Sequence, residues 1–476
     1  MIRATLLTMF VSTGCLAEPH VTPAPPKLDG DAPDLAQRIA AAKANVLADT
    51  CFQTEQDASV CDWGDFAYDP SQFAMTQSTN EAILIVDGFS ELPFRAIRYQ
   101  NRLKGFFRVG EGGEFSPVSF SWHAPVVLHE TLRGFADPDL IPAESLRELG
   151  GPLTDVYGPY ALNAGHGSYV FSILVEANPR QPIVILDHLR YDKFALEEFC
   201  DGSGTDASIS RLREKSRVVA ANLQWLMAEQ NVRFVNVSAG ESLDTMRELW
   251  TSRCRGIRPS DSILRKKLNA YAPIVEALYK TPGVFAAQAS INASNSQDFP
   301  FDYPSPSYPN RVLAGFFTTL NSGLDEKGRK DGTSSTTLSG WPGRQNVDIY
   351  LNSGVQPNRP FRYNTTPLLQ VDSFGVDIYP ITQTTTSWIA PLALSRFIHL
   401  RYERFGAEEM SDDLISRIRS EMTPGECPEQ PESNCAYQDP LKHGQIEAVR
   451  LGYRALEYVE PDSQQSTLSR RMEYSQ

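Results

Sequence analysis

No apolar run in the chain approaches the roughly 18–20 residues that a membrane-spanning helix needs. Positive charge is also short: 44 Lys and Arg face 58 Asp and Glu, a formal net charge of −14. Such a surface repels nucleic acid and anionic membranes, so no nucleic-acid partner is expected. No Cys-x-x-Cys occurs, which removes the usual zinc and redox motifs. What remains is ordinary for a soluble globular chain: 476 residues, 41% hydrophobic and 21% charged. That length can bury one large core or two modest ones.

The N-terminus differs from the rest. Arg3 precedes the apolar stretch Ala4 to Val11, then Ser12-Thr13-Gly14-Cys15 and Leu16-Ala17. This is the layout of a secretory signal over residues 1–17. It resembles a bacterial lipoprotein signal in which Cys15 becomes the lipidated first residue, although Ser12 stands where Leu or Val is usual. Cleavage after Ala17 by an ordinary signal peptidase is the competing reading. The proline-rich stretch 18–34 (Pro19, Pro23, Pro25, Pro26, Pro33) stays extended and suits a tether. Export to the periplasm or cell envelope, lipid-anchored or secreted, is therefore expected, with a membrane partner only through Cys15. Either cleavage leaves six cysteines, Cys51, Cys61, Cys200, Cys254, Cys427 and Cys435. In an oxidising compartment these pair, and nearest-neighbour pairing (51–61, 200–254, 427–435) is the simplest of fifteen connectivities.

Residues 35–79 read as a separate N-terminal segment. Asp34 to Leu47 has a helical pattern, with Leu35, Ile39 and Val46 on one side, and Cys51 to Tyr68 is loop-like. Short apolar runs then alternate with helical stretches. Strands are expected over Ala82–Val86, Ile183–Leu186, Val232–Val237, Gly283–Ala287 and Arg311–Phe317. Helices are expected over Arg213–Gln230, Leu264–Tyr279 and Trp388–Phe405. The alternation predicts an α/β fold, a mostly parallel sheet with helices on both faces and a site at the strand ends.

Four segments carry chemistry. Ile83-Leu84-Ile85-Val86-Asp87-Gly88 places a carboxylate at the end of a buried strand, which is costly without a partner; an Asp that orients an imidazole has one. A plain Asp-Gly turn is the bland alternative. Gly165-His166-Gly167 flanks an imidazole with glycines that let backbone or substrate approach it, just before an apolar helical run. Val235-Asn236-Val237-Ser238-Ala239-Gly240 ends a strand in small residues, an open edge that can receive an extended peptide. Thr384-Thr385-Thr386-Ser387-Trp388 puts a serine at a helix start, beside converging N–H groups. An N-cap alone explains that last pattern equally.

In this order the four segments resemble the subtilase family, the subtilisin-like serine peptidases. Two further stretches fit. Gly283-Val-Phe-Ala-Ala-Gln-Ala-Ser-Ile-Asn292 is similar to the family strand that ends in the oxyanion asparagine, and Val347-Asp348-Ile349 to its Val-Asp-Ile segment. Tyr308-Pro309 and His443 to Ala448 also have counterparts, so the likeness covers roughly residues 80 to 455. It implies a three-layer αβα sandwich over 80–458, followed by a polar tail, 459–476. It also implies a catalytic triad of Asp87, His166 and Ser387, an oxyanion donor in Asn292, and a substrate edge at Ser238, Ala239 and Gly240. The implied partner is a peptide or protein substrate. No cofactor is required for catalysis; structural calcium, frequent in the family, has no assigned ligands here, because Asp201-Gly-Ser-Gly-Thr-Asp206 lacks the EF-hand glycine in place and reads as a turn.

The departures are specific. Ser168-Tyr169 follow where Thr-His is usual, Trp388-Ile389 replace Met-Ala, and Ser290-Ile291 replace Ala-Gly before Asn292. The 79 positions between Asp87 and His166 imply an insertion near 106–160, in which His123 and His129 read as surface or packing residues. Gly332-Thr333-Ser334 matches the nucleophile motif literally but precedes Val347-Asp348-Ile349 and lacks the following Pro and apolar helix, so Ser387 is the assignment. A non-catalytic peptide-binding domain is the first alternative. An α/β-hydrolase esterase is the second, and neither Ser238 nor Ser387 carries the two glycines it wants.

Overall fold

The computed structural model describes residues 33–50, 60–75, 78–89, 91–136, 146, 149, 166–238, 240–290, 300–301, 303, 305–317, 320–321, 347–352, 355–356, 386–406, 408–422 and 437–438. Cys15, Cys51, Cys427, Cys435, Ala239, Asn292, Ser334 and His443 lie outside them.

The strands are β1 (Trp63–Ala67), β2 (Ala82–Asp87), β3 (Leu103–Val109), β4 (Phe115–Pro117), β5 (Ser121–Pro125), β6 (Ile183–Asp187) and β7 (Val232–Val237). They continue with β8 (Phe285–Ala289), β9 (Arg311–Phe317), β10 (Leu320–Asn321), β11 (Ile349–Asn352), β12 (Val355–Gln356) and β13 (Tyr437–Gln438). Among the described residues, nine of them form one sheet in the order β13-β11-β9-β8-β7-β2-β6-β3-β4. Every pairing in it is parallel except β3 with β4. The longer helices are α1 (Pro33–Ala48), α2 (Val126–Gly134), α3 (His166–Ala177), α4 (Asp206–Glu229), α5 (Leu243–Arg253), α6 (Asp261–Asn269), α7 (Ala272–Lys280), α8 (Thr386–Arg404) and α9 (Asp412–Met422).

The near-continuous apolar strands are what a doubly covered parallel sheet requires, because both faces must be dry. Alternation sorts their side chains. Ile83, Ile85, Ile183, Ile185, Phe234, Phe285 and Ala287 face one layer with Val170, Phe171 and Leu174 of α3 and Ile389, Ala393 and Phe397 of α8. Leu84, Val86, Val184, Leu186, Val235, Val237 and Ala286 face the other, with Leu212, Val219 and Leu223 of α4, Met246 and Leu249 of α5, and Leu264, Ile274 and Leu278 of α6 and α7. Each Val, Leu, Ile, Met or Phe side chain among them contributes about 1.5–3 kcal/mol by leaving water. The result is the three-layer αβα sandwich expected. Phe397 of α8 stacks flat on Phe285 of β8, ring centroids 3.6 Å apart, which locks the helix over the sheet centre.

Three expectations needed adjustment. Helix α4 starts at Asp206 rather than Arg213, because Thr205 caps it by accepting the Ser208 N–H at 3.3 Å. The single helix expected over Leu264–Tyr279 is two, with Pro273, which carries no N–H, in the first turn of the second. The loop-like reading of Cys51 to Tyr68 missed β1, which pairs antiparallel with β5 of the insertion. Leu35 and Val46 of α1 are buried in the core that α3 and α8 share, and Arg38 donates to the Gly134 carbonyl at 3.0 Å. His123 lies exposed 2.9 Å from Asp65, while His129 stacks on Phe66 at 3.6 Å.

Cys200 and Cys254 form a disulfide, one of the pairings expected, and Cys61 is disulfide-bonded as well. Among the described residues no helix is long and apolar enough to cross a membrane.

Candidate active site

Three adjacent strand ends build the site. Strand β2 places Asp87 on the same side as Ile83 and Ile85, the face that α3 and α8 cover. Its side chain is fully buried. A carboxylate there must find donors, and two converge on Oδ1: the Gly88 N–H at 2.6 Å and His166 Nδ1 at 2.7 Å. When the Asp87 carboxylate accepts this bond, Nδ1 is the donor, and a neutral His166 then keeps its lone pair on Nε2. That is the tautomer a general base needs.

His166 opens α3, and its side chain is 36% exposed, so one edge reaches solvent while the other meets Asp87. Gly167 is needed beside it. A Cβ there would lie 2.5 Å from the Phe89 ring and 2.8 Å from the Gly88 carbonyl oxygen, which also accepts the Gly167 N–H at 3.0 Å. The close approach of helix to strand end depends on that missing side chain.

Ser387 lies in the first turn of α8, beside the partially positive end of the helix dipole. The next residue, Trp388, is buried, with its ring 4.7 Å from that of His166 and 4.2 Å from that of Tyr169. Ser387 and His166 are thus brought to one place by way of Trp388. The helix start is tied to two strands. Thr386 Oγ1 donates to the Ser290 carbonyl, just past β8, at 2.5 Å. Ser238 Oγ, just past β7, donates to the Ser387 carbonyl at 2.8 Å and accepts from Asn236 Nδ2 at 2.8 Å.

The Ser238 bond has a reason in sequence. Pro391 sits inside α8, four residues after Ser387, and proline has no N–H for the carbonyl of residue i−4. The Ser387 carbonyl therefore lacks its helical donor, and Ser238 supplies one. Ser238 is only 3% exposed, so any contact it makes with an extended ligand is through backbone, and its hydroxyl is bonded into the first turn of α8. Gly240 is half-buried at the same strand end. Ala239 and Asn292 are outside the described residues.

Reasoning from sequence passed over the end of β6. Asp187 is in register with Asp87 and 5% exposed. Its Oδ1 accepts the Phe89 N–H at 3.1 Å and the His188 N–H at 2.9 Å, and Oδ2 lies 3.3 Å from Arg108 Nε. It therefore ties down the turn after Asp87. The half-buried His188 ring packs against Gly88: a Cβ on Gly88 would lie 2.2 Å from its Nε2. The signal for both was an Asp-His pair closing an apolar strand that runs beside the Asp87 strand.

Among the described residues no cluster of His, Cys, Asp or Glu is placed to hold a metal ion. The turn at Asp201 is closed by its own side chain, which accepts the Ser203 N–H at 3.0 Å and an Arg211 N–H at 2.8 Å.

No protein-family model and no curated protein matches the chain. Among solved structures, it is similar to Pseudomonas sedolisin, a serine-carboxyl proteinase, complexed with two molecules of pseudo-iodotyrostatin. The identity is 12%, over 79% of this chain and 90% of the sedolisin chain, with a TM-score of 0.29.

Proposed function

We propose that the protein is an exported serine endopeptidase that hydrolyses peptide bonds through Ser387, His166 and Asp87. The observation that carries this reading is the 2.7 Å bond from His166 Nδ1 to the buried Asp87, on a ring packed against the residue next to Ser387. A lone Asp-Gly turn or a lone helix cap accounts for neither part of that arrangement.

In the proposed mechanism, Ser387 Oγ attacks the peptide carbonyl while His166 Nε2 takes its proton; the imidazolium then protonates the leaving amine. Asp87 holds the ring in its tautomer and stabilises its charged form without taking the proton. The Ser387 N–H at the start of α8 and, by the resemblance to subtilases, the Asn292 amide receive the oxyanion. Each such donor is worth about 3–4 kcal/mol in subtilisin. Water then resolves the acyl-enzyme by the reverse sequence of transfers. Backbone at the end of β7, Ser238 to Gly240, is the edge for an extended substrate.

A fluorophosphonate reacts only with a serine whose proton is withdrawn and whose developing charge is held. Purified, matured protein should be labelled at Ser387. Ser387→Ala should abolish labelling, Ser334→Ala should leave it intact, and His166→Ala should remove most of it. Labelling at Ser334 would overturn the assignment. No labelling of folded protein would favour the non-catalytic, peptide-binding alternative.

A further inference from the structure

One hydrogen bond fixes a point on an imidazole and leaves its plane open, because the ring torsion of histidine is broad and roughly two-fold. His166 has such a bond at Nδ1, to Asp87. Against the ring lies Trp388 of α8, with centroids 4.7 Å apart and planes 31° apart. The small angle makes this an offset face contact rather than an edge-to-face one. The indole is itself fixed. It is 2% exposed and also meets the buried Tyr169, with centroids 4.2 Å apart. Tyr169 lies one turn beyond His166 on α3, so the two project from one face of that helix and Trp388 packs against both. In the chain Trp388 follows Ser387 directly, and the turn they share is bonded to the ends of β7 and β8 through Ser238 and Thr386. One ring therefore links the Ser387 backbone to the face of the imidazole.

We propose that Trp388 is a positioning residue: its indole sets the plane of the His166 ring relative to Ser387, and its π-face favours the positive charge that the ring takes on during the reaction. The kinetic part of this inference rests on the peptidase reading; the spectroscopic part does not. The two effects have separate causes. A flat partner restricts rotation about the His166 ring torsion, so Nε2 stays aimed while Nδ1 holds Asp87. A cation within about 6 Å of an aromatic centroid is attracted by the ring quadrupole, most strongly by indole and more so where water is excluded. In the proposed mechanism His166 gains charge only as it takes the Ser387 proton. The attraction therefore grows towards the transition state and belongs in kcat, not KM. Trp388 stands where the subtilase pattern has Met, and a thioether supplies neither a plane nor a quadrupole.

The test uses full-length matured protein with Trp388→Leu and Trp388→Phe. Both lose volume, and only Phe keeps a ring face. In a Ser387→Ala background with ¹⁵N-histidine, exchange of the His166 Nδ1–H with solvent reports how firmly the ring is held on Asp87, without any turnover; the resonance is identified by its loss in His166→Gln. We expect Trp388→Leu to speed that exchange about ten-fold, the factor that a desolvated ring contact corresponds to, and Trp388→Phe to keep it within about three-fold of the unsubstituted protein. With Ser387 present, Trp388→Leu should slow fluorophosphonate labelling about ten-fold and lower kcat for a peptide about ten-fold at unchanged KM. Trp388→Phe should recover most of both. Should Trp388→Leu not fold, Trp388→Met fills the gap flexibly and equally lacks a ring face, and the same losses are expected of it. Wild-type exchange or wild-type labelling in the Leu or Met variant overturns the proposal. So does a Phe variant as impaired as they are, because lost volume would then explain the effect. A wild type that is neither labelled nor active overturns the peptidase reading, while the exchange still decides the role of Trp388.

Discussion

The Ser238 bond to the Ser387 carbonyl makes a quantitative prediction that couples Ser238 to Pro391, 153 positions away. Ser238→Ala removes the donor from the Ser387 carbonyl and, at the same time, the acceptor from Asn236 Nδ2, in a region where Asn236 is wholly buried. The buried Asn236 amide left without its acceptor costs about 1–3 kcal/mol and the lost bond to the half-buried Ser387 carbonyl about 1 kcal/mol, so the variant should lose about 3 kcal/mol of stability, and kcat should fall because the first turn of α8 is held less firmly. Pro391→Ala restores an N–H four residues after Ser387, which gives its carbonyl the ordinary helical partner. In that background Ser238→Ala should cost less, by about 1–2 kcal/mol, since only the Asn236 half of the penalty remains. A double-mutant cycle in urea, read alongside kcat for a peptide substrate, measures the coupling. Strict additivity of the two substitutions would refute the idea that Ser238 replaces the hydrogen bond that Pro391 removes.

Gly167→Ala drives a Cβ to 2.8 Å from the Gly88 carbonyl and 2.5 Å from the Phe89 ring. The start of α3 must retreat from β2, for about 1–3 kcal/mol of stability and, through His166, about 10²-fold in kcat; Gly134→Ala, whose Cβ meets nothing within 4 Å, should leave both unchanged in thermal unfolding and rate assays. The backbone N–H and side chain of Ser203 hold the Asp201 carboxyl down at about 2. Its folded value lies below the unfolded one of about 4, so its stabilisation is complete above that and is lost as pH falls from about 4 towards about 2. The Tm advantage of the wild type over Asp201→Asn should shrink across that window, and a constant gap down to pH 2 would contradict it. Cys15→Ser should release the exported protein from the membrane fraction; a wild type already wholly soluble after export would favour cleavage after Ala17.

The strands and most helices were legible in the sequence because their causes are local. Apolar runs such as Ile83 to Val86 and Ile183 to Leu186 can only be satisfied by a sheet covered on both faces, and Thr386-Ser387 before an apolar stretch is a helix start whatever surrounds it. Asp87 and His166 stood out for similar reasons, a charge ending a buried strand and an imidazole between glycines. Other features depend on which elements become neighbours. The strand order β8-β7-β2-β6 is set by tertiary packing, and it brings Ser290, Ser238, Asp87 and Asp187 to one edge. From it follow the tie between the Ser238 hydroxyl and the Ser387 carbonyl, and the position of His188 against Gly88, which no spacing reveals. The pairing of β1 with β5 is of the same kind, joining Asp65 to His123 across 58 positions. Periodicity decides which face a side chain takes along its own strand; only the register between strands decides what it meets there.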